Sequence, residues 1–137
     1  MKKLVFIVED NLVQQKMLQI HFEETLGDYA VQTFEHPQDM LPKLKEKPFA
    51  VVLDHFFGDK EGKTGLDYLK QLRQNYKTIP IIYYTSLDDE SVKGEVMKLG
   101  AEQYIIKNSA SLVRLKTALD SLHKKDADKG FFKKLFS

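Results

Sequence analysis

Residues 49–54 read Phe-Ala-Val-Val-Leu-Asp, an unbroken apolar run closed by an acid. Such a run is too short for a buried helix and has no polar alternation, which marks a strand covered on both faces. The same grammar occurs at residues 4–8, Leu-Val-Phe-Ile-Val before Glu9-Asp10, and at residues 79–84, Ile-Pro-Ile-Ile-Tyr-Tyr before Thr85-Ser86. Tyr29 to Phe34 alternates as a further strand, and Gln103 to Ile106 ends at Lys107.

Between these runs the period changes to that of a helix. Asn11 is placed to cap a helix whose core-facing side carries Val13, Met17 and Ile20, widened by Leu18 and Phe22 and stopped at Gly27. Gln38 to Leu44 suits a short helix whose interior Pro42 would break unless it lies near the first turn. Leu66, Leu69 and Leu72 follow a glycine-containing loop from Gly58 to Gly65, and Val92, Val96 and Leu99 precede Gly100. Leu112, Leu115, Leu119 and Leu122 form the last amphipathic face. Strict alternation of strands and helices forces parallel pairing with right-handed crossovers, so the expected fold is α/β, a doubly wound five-stranded parallel sheet with helices on both faces.

A chain of 137 residues with 42% apolar residues can close one core without staples. It has no cysteine, which excludes disulfides, thiolate zinc sites and a cysteine nucleophile, and His21, His36, His55 and His123 are too scattered for a metal cluster. Residues 124–137 hold five lysines against two aspartates, leaving 16 cations against 18 anions before them. A mildly acidic body with a basic tail does not resemble a duplex-binding surface, so nucleic acid is not the expected partner. The first apolar run is too short for a signal peptide or a membrane span, and the expectation is a cytoplasmic protein with a domain over residues 1–125 and a basic aromatic tail over 126–137.

In an open doubly wound sheet, side chains at the carboxyl ends of the strands converge on a crevice at the topological switch point. That edge gathers Glu9, Asp10, Asp54, Thr85 and Lys107. Carboxylates so placed repel unless a hard cation neutralises them or one stays protonated, and an oxygen-only donor set with room for waters and a phosphate suits magnesium. A carboxylate facing a cation, a hydroxyl and an ammonium loses its proton readily and suits attack on phosphorus rather than proton transfer. Asp54 would form an acyl phosphate, Lys107 would balance the charge on the equatorial oxygens, and Thr85 would donate to one of them.

These residues resemble those of a response-regulator receiver domain of the two-component phosphorelay type, over residues 3 to about 123. Glu9-Asp10 in KKLVFIVEDN matches the acidic metal pair, Asp54 in VVLDHF the phosphoacceptor, Thr85 in IIYYTS the hydroxyl position and Lys107 in GAEQYIIK the lysine. Tyr104 falls on the switch aromatic. The resemblance implies a flavodoxin-like sheet of order 2-1-3-4-5, with Mg2+ bound by Asp10, Asp54 and the backbone carbonyl of Phe56, and Glu9 acting indirectly. It implies phosphoryl transfer from a histidine kinase or phosphotransfer protein, and no enzymatic role beyond the domain's own phosphorylation and dephosphorylation. The expected output is a change in the face of the fourth helix, fifth strand and fifth helix, read by a partner protein.

The sequence departs from the pattern in two places. Lys107 is followed by Asn108 instead of proline, and the loop HFFGDKEGKTG takes eleven residues from Asp54 to Gly65 without a proline. Phe56 and Leu87 occupy positions that by resemblance border the path of attacking water, and their size implies slow autodephosphorylation. His55 reads as a strand-end side chain. In the tail, Phe131, Phe132, Leu135 and Phe136 beside Lys133 and Lys134 suit either a frayed terminus or a helix that docks on a partner or a membrane surface, with a protein groove or self-association the better version because so short a segment binds a bilayer weakly. Alternatives to the stand-alone receiver are a phosphorylation-independent scaffold, a phosphate shuttle and an aspartyl-phosphate phosphatase. The phosphatase lacks its second acid, since that place is Phe56.

Overall fold

The computed structural model describes residues 2–25 and 27–136. Five strands, β1 (Lys3–Val8), β2 (Tyr29–Phe34), β3 (Ala50–Leu53), β4 (Ile81–Thr85) and β5 (Gln103–Ile106), form one parallel sheet in the order β2-β1-β3-β4-β5. Helices α1 (Leu12–Thr25), α2 (Pro37–Met40), α3 (Gly65–Asn75), α4 (Glu90–Lys98) and α5 (Ser111–Phe136) fill the crossovers and the carboxyl end. The expected α/β doubly wound fold is therefore the fold observed.

Alternation along each strand sends successive side chains to opposite faces and splits the core in two. Val5, Ile7, Val52 and Ile82 pack on Leu18 and Phe22 of α1 and on Leu115 and Leu119 of α5. Phe6, Val8, Val51 and Leu53 pack on Met40 of α2, on Leu66, Leu69 and Leu72 of α3 and on Val96 of α4. Among the described residues, no helix is long and apolar enough to cross a membrane.

Four local expectations are corrected. Only the widening residues of the expected α1 face reach the core: Leu18 and Phe22 are buried, while Val13 is 70% and Met17 63% exposed, with Ile20 also in solvent. The stripes Val13/Met17/Ile20 and Leu18/Phe22 both have helical spacing and lie on nearly opposite sides of the cylinder, so periodicity alone could not choose between them. The short second helix is an α-turn over Pro37–Met40 continued by a 3-10 helix, Leu41–Glu46, with Pro42 in its first turn, where a missing N–H costs little. β4 starts at Ile81, because the carbonyl of Ile79 is taken by the Arg73 guanidinium at 2.8 Å. α5 continues without a break past Lys125 to Phe136; the side chains of Phe132 and Phe136 lie outside the described part of the structure.

Candidate functional site

Strand register builds the site. Val8 pairs with Leu53, so the next residues, Glu9 and Asp54, emerge side by side at the carboxyl edge where the chain reverses direction across the sheet. Thr85 closes β4 opposite Ile106, and the Lys107 N–H donates to the Thr85 carbonyl at 2.8 Å, which fixes where the lysine leaves β5.

The Lys107 ammonium reaches across the sheet edge. It donates to Asp54 Oδ2 at 2.7 Å, to Glu9 Oε2 at 2.9 Å and to Gln14 Oε1 at 2.8 Å, using all three of its hydrogens. Its Nζ also lies 5.5 Å from the centroid of the Tyr84 ring. Glu9 and Asp54 are 3% and 6% exposed, so two carboxylates share one ammonium in a nearly dry cleft.

Their titration follows from that arrangement. Burial pushes the Glu9 carboxyl up to about 7; Lys107 opposes this and Asp54 reinforces it. Burial would raise Asp54 as well, but the hydrogen bond and charge of Lys107 outweigh it, helped by bonds from Glu9 and the Thr85 hydroxyl, and hold Asp54 below the usual carboxylate range. Burial would lower Lys107, yet the bonds and charges of Asp54 and Glu9 leave it raised. Of the two carboxyls, Glu9 therefore holds a proton more readily and Asp54 is the one kept ionised.

The loop after Asp54 is shaped by two glycines. Gly58 and Gly62 adopt φ of 56° and 74°, and a Cβ on Gly58 would sit 3.7 Å from Asp10 Oδ2, so this loop passes close to the second acid of the pair. Asp59 accepts from the Glu61 N–H at 2.7 Å and from the Tyr68 hydroxyl at 2.5 Å. Asp67 accepts from the Thr64 N–H at 2.8 Å to start α3. At Gly65 a Cβ would stand 1.9 Å from the Asp54 carbonyl oxygen, so only glycine lets the loop close there.

Asn108, in place of the expected proline, follows a trans peptide, since the described residues contain no cis bond. The β5–α5 turn is held by polar contacts instead. Asn108 Oδ1 accepts from the Ala110 N–H at 2.8 Å, and the Asn108 carbonyl accepts from the Ser111 hydroxyl at 2.8 Å. Tyr84 Oη meets Ser111 Oγ at 2.9 Å in the buried layer beneath.

Tyr104 is half-buried, with its ring stacked on Tyr83 at 5.4 Å and 14° and its hydroxyl donating to the Leu87 carbonyl at 2.6 Å. Phe56 is 51% exposed at the rim and Leu87 is partly buried. Sequence reasoning missed Gln14, the partnership of His55 with Tyr83 at 2.6 Å, and the close approach at Gly65. Two tyrosines in the apolar run of β4 were the available signal, because two buried hydroxyls require two partners.

The described residues contain no cluster of three His, Cys, Asp or Glu able to hold a metal ion by side chains alone. The donor set nevertheless fits a hard cation that keeps several waters. It is all oxygen, it holds two buried carboxylates against one ammonium, and it includes Asp10 beside the Gly58 loop. Asp10 and Asp54 would supply carboxylates to such a cation, and Phe56, two residues after Asp54, would be the source of a backbone carbonyl.

A family model for the response regulator receiver domain matches residues 5–120. The methanogenesis regulatory protein FilR1 of Methanothrix harundinacea is 30% identical over 115 residues, 81% of this chain and 25% of that protein. The alkaline phosphatase synthesis transcriptional regulatory protein PhoP of Bacillus subtilis is 32% identical over 108 residues, 78% of this chain and 43% of its own length. The chain thus spans well under half of each of these curated relatives. Among solved structures, the chemotaxis protein CheY4 of Vibrio cholerae superposes with a TM-score of 0.72 at 21% identity, covering 87% of this chain and 99% of that one. The receiver domain of a LuxO repressor protein from Vibrio parahaemolyticus gives 0.76 at 21% identity, covering 93% and 97%. The position of Glu9, Asp54, Thr85 and Lys107 at one sheet edge and the match over residues 5–120 agree, and the chain belongs to the response regulator receiver domain family.

Proposed function

We propose that this receiver domain accepts a phosphoryl group on Asp54 from the phosphohistidine of a sensor kinase or phosphotransfer protein. The observation that carries this reading is the Lys107 ammonium bridging Asp54 at 2.7 Å and Glu9 at 2.9 Å, which keeps Asp54 ionised in a buried cleft. Magnesium held by Asp10, Asp54 and the Phe56 carbonyl, with Glu9 through water, would offset negative charge on the phosphoryl oxygens. Asp54 attacks phosphorus as the phosphorus–nitrogen bond of the donor breaks, and the imidazole leaves. Lys107 turns an N–H to a phosphoryl oxygen, and the Thr85 hydroxyl donates to another.

In this reading the α4–β5–α5 face carries the output to a partner protein in the cytoplasm, with no nucleic acid required and with self-pairing through the outer side of α5 as one form of partner. In the same reading the receiver comprises residues 1–125, with 126–137 as a basic aromatic tail. A relay role, passing the phosphoryl group onward, uses the same site. A phosphorylation-independent scaffold is the second reading. It is favoured by one observation: Tyr104 is held in place by its hydroxyl on the Leu87 carbonyl and by its ring on Tyr83.

Incubation with magnesium and acetyl phosphate, followed by intact-mass measurement, tests the choice. A phosphoryl mass gain that disappears in Asp54→Asn supports the phosphoacceptor. No gain, together with no magnesium binding by calorimetry, leaves the scaffold.

A further inference from the structure

Tyr83 is fully buried in β4 yet touches both halves of the site. Its hydroxyl lies 2.6 Å from His55 Nδ1 and 2.7 Å from where a Gly65 Cβ would stand, so it is wedged between the end of β3 and the start of α3. His55 is the residue through which Asp54 is held. Its N–H donates to Asp54 Oδ1 at 2.6 Å, and its carbonyl accepts from the Gly65 N–H at 2.8 Å. On its other side the Tyr83 ring is the platform for Tyr104, nearly parallel at 14°, while the Tyr104 hydroxyl is fixed on the Leu87 carbonyl.

We infer that Tyr83 is a positioning residue for phosphoryl transfer: its hydroxyl braces the main chain that presents Asp54, and its ring ties that brace to Tyr104. The inference rests on the reading of Asp54 as phosphoacceptor. A shift of the Asp54–His55 main chain must either carry the Tyr83 hydroxyl with it or leave the buried His55 ring nitrogen unpaired. Carrying the hydroxyl moves the ring on which Tyr104 rests. This connection is separate from the one through Thr85, whose Oγ1 accepts from the Leu87 N–H at 3.2 Å. Binding linkage is reciprocal, so the state of Tyr104 must alter the affinity of the site for a phosphoryl mimic.

The experiment titrates beryllofluoride into the full chain with magnesium in excess and reads Kd by calorimetry. Six chains are compared: unaltered, His55→Leu with Tyr83→Phe, and Tyr83→Phe alone, each with and without Tyr104→Ala. Replacing both members of the buried pair by apolar groups keeps the ring stack and leaves no unpaired atom, so the fold is preserved. Tyr104→Ala is expected to weaken binding about fivefold in the unaltered chain and at least about twofold less than that in the His55→Leu/Tyr83→Phe background. Tyr83→Phe alone, which removes one oxygen, is expected to give the same reduction. An equal effect of Tyr104→Ala in every background overturns the inference, as does no effect in the unaltered chain. If the unaltered chain takes up no beryllofluoride, the phosphoacceptor reading falls first and Tyr83 has nothing to position.

Discussion

Glu9→Gln should change how stability depends on pH, by an amount the site itself sets. Glu9 is 3% exposed and its carboxyl is raised from 4.5 to about 7, first by burial and then by the neighbouring Asp54. In that interval the folded chain holds a proton that the unfolded chain has released, so stability is fully present below 4.5 and falls as pH rises through about 7. The span from 4.5 to about 7 corresponds to about 3 kcal/mol. Two other groups act in the opposite direction. Asp54, held low by Lys107 against the effect of burial, loses its contribution as pH falls below the ordinary carboxylate range. His55, kept neutral by burial, loses its contribution as pH falls through 6.5 and so partly masks Glu9 in the unaltered chain. His55 cancels in the difference between the unaltered chain and Glu9→Gln, and Asp54, although its bond with Glu9 changes, is held ionised by Lys107 across the range scanned. Urea unfolding in chelator-treated buffer, followed by circular dichroism from about pH 4.5 to about pH 8 at fixed ionic strength, gives that difference. The unaltered chain should lose about 3 kcal/mol relative to Glu9→Gln across the range. A difference that stays constant with pH would refute the shared-proton account of the carboxylate pair.

Three further predictions follow from the same geometry. Lys107→Met leaves two buried carboxylates without their cation and should cost about 2–4 kcal/mol at neutral pH, shrinking at about pH 5 as a carboxylate takes up a proton; urea titrations at the two pH values test it. Gly65→Ala drives a methyl group into the Asp54 carbonyl and should destabilise by about 3 kcal/mol or displace the loop and abolish magnesium binding, read by denaturant midpoint and calorimetry. Phe56→Asn should shorten the lifetime of the phosphorylated chain several-fold by admitting water at the rim, where Phe56 is 51% exposed, and phosphate release followed over time would show no change if the ring does not limit access.

The three central strands β1, β3 and β4 were legible because both sheet faces are covered, which writes each as a continuous apolar run stopped by a residue of the candidate site. Glu9, Asp54 and Thr85 are those stop residues, Lys107 follows β5, and parallel register then brings them together. The orientation of α1 was not legible, since two apolar stripes of equal helical spacing lie on it and only Leu18 and Phe22 meet the sheet. Gln14 escaped notice because its role depends on a lysine 93 positions away, which no local pattern encodes. The His55–Tyr83 bond spans 28 positions and was hidden for the same reason. A helix in the tail was one of two readings, but its unbroken continuity with α5 through Asp126 to Phe136 was not legible, because the lysines, aspartates and glycine of residues 124–130 look like a spacer.

That uninterrupted last helix has a practical geometry. Its 26 residues make a rod of about 39 Å, and Lys3 grips it at Asp126 over 2.7 Å, so the first part is clamped to the sheet while later turns run on. A fluorophore or second module carried rigidly on the outer turns would be aimed by helical phase: one inserted residue swings it by about 100° and advances it about 1.5 Å. Reporter fusions to this domain should therefore be built as a series of single-residue increments, because their signal will vary with azimuth rather than with linker length.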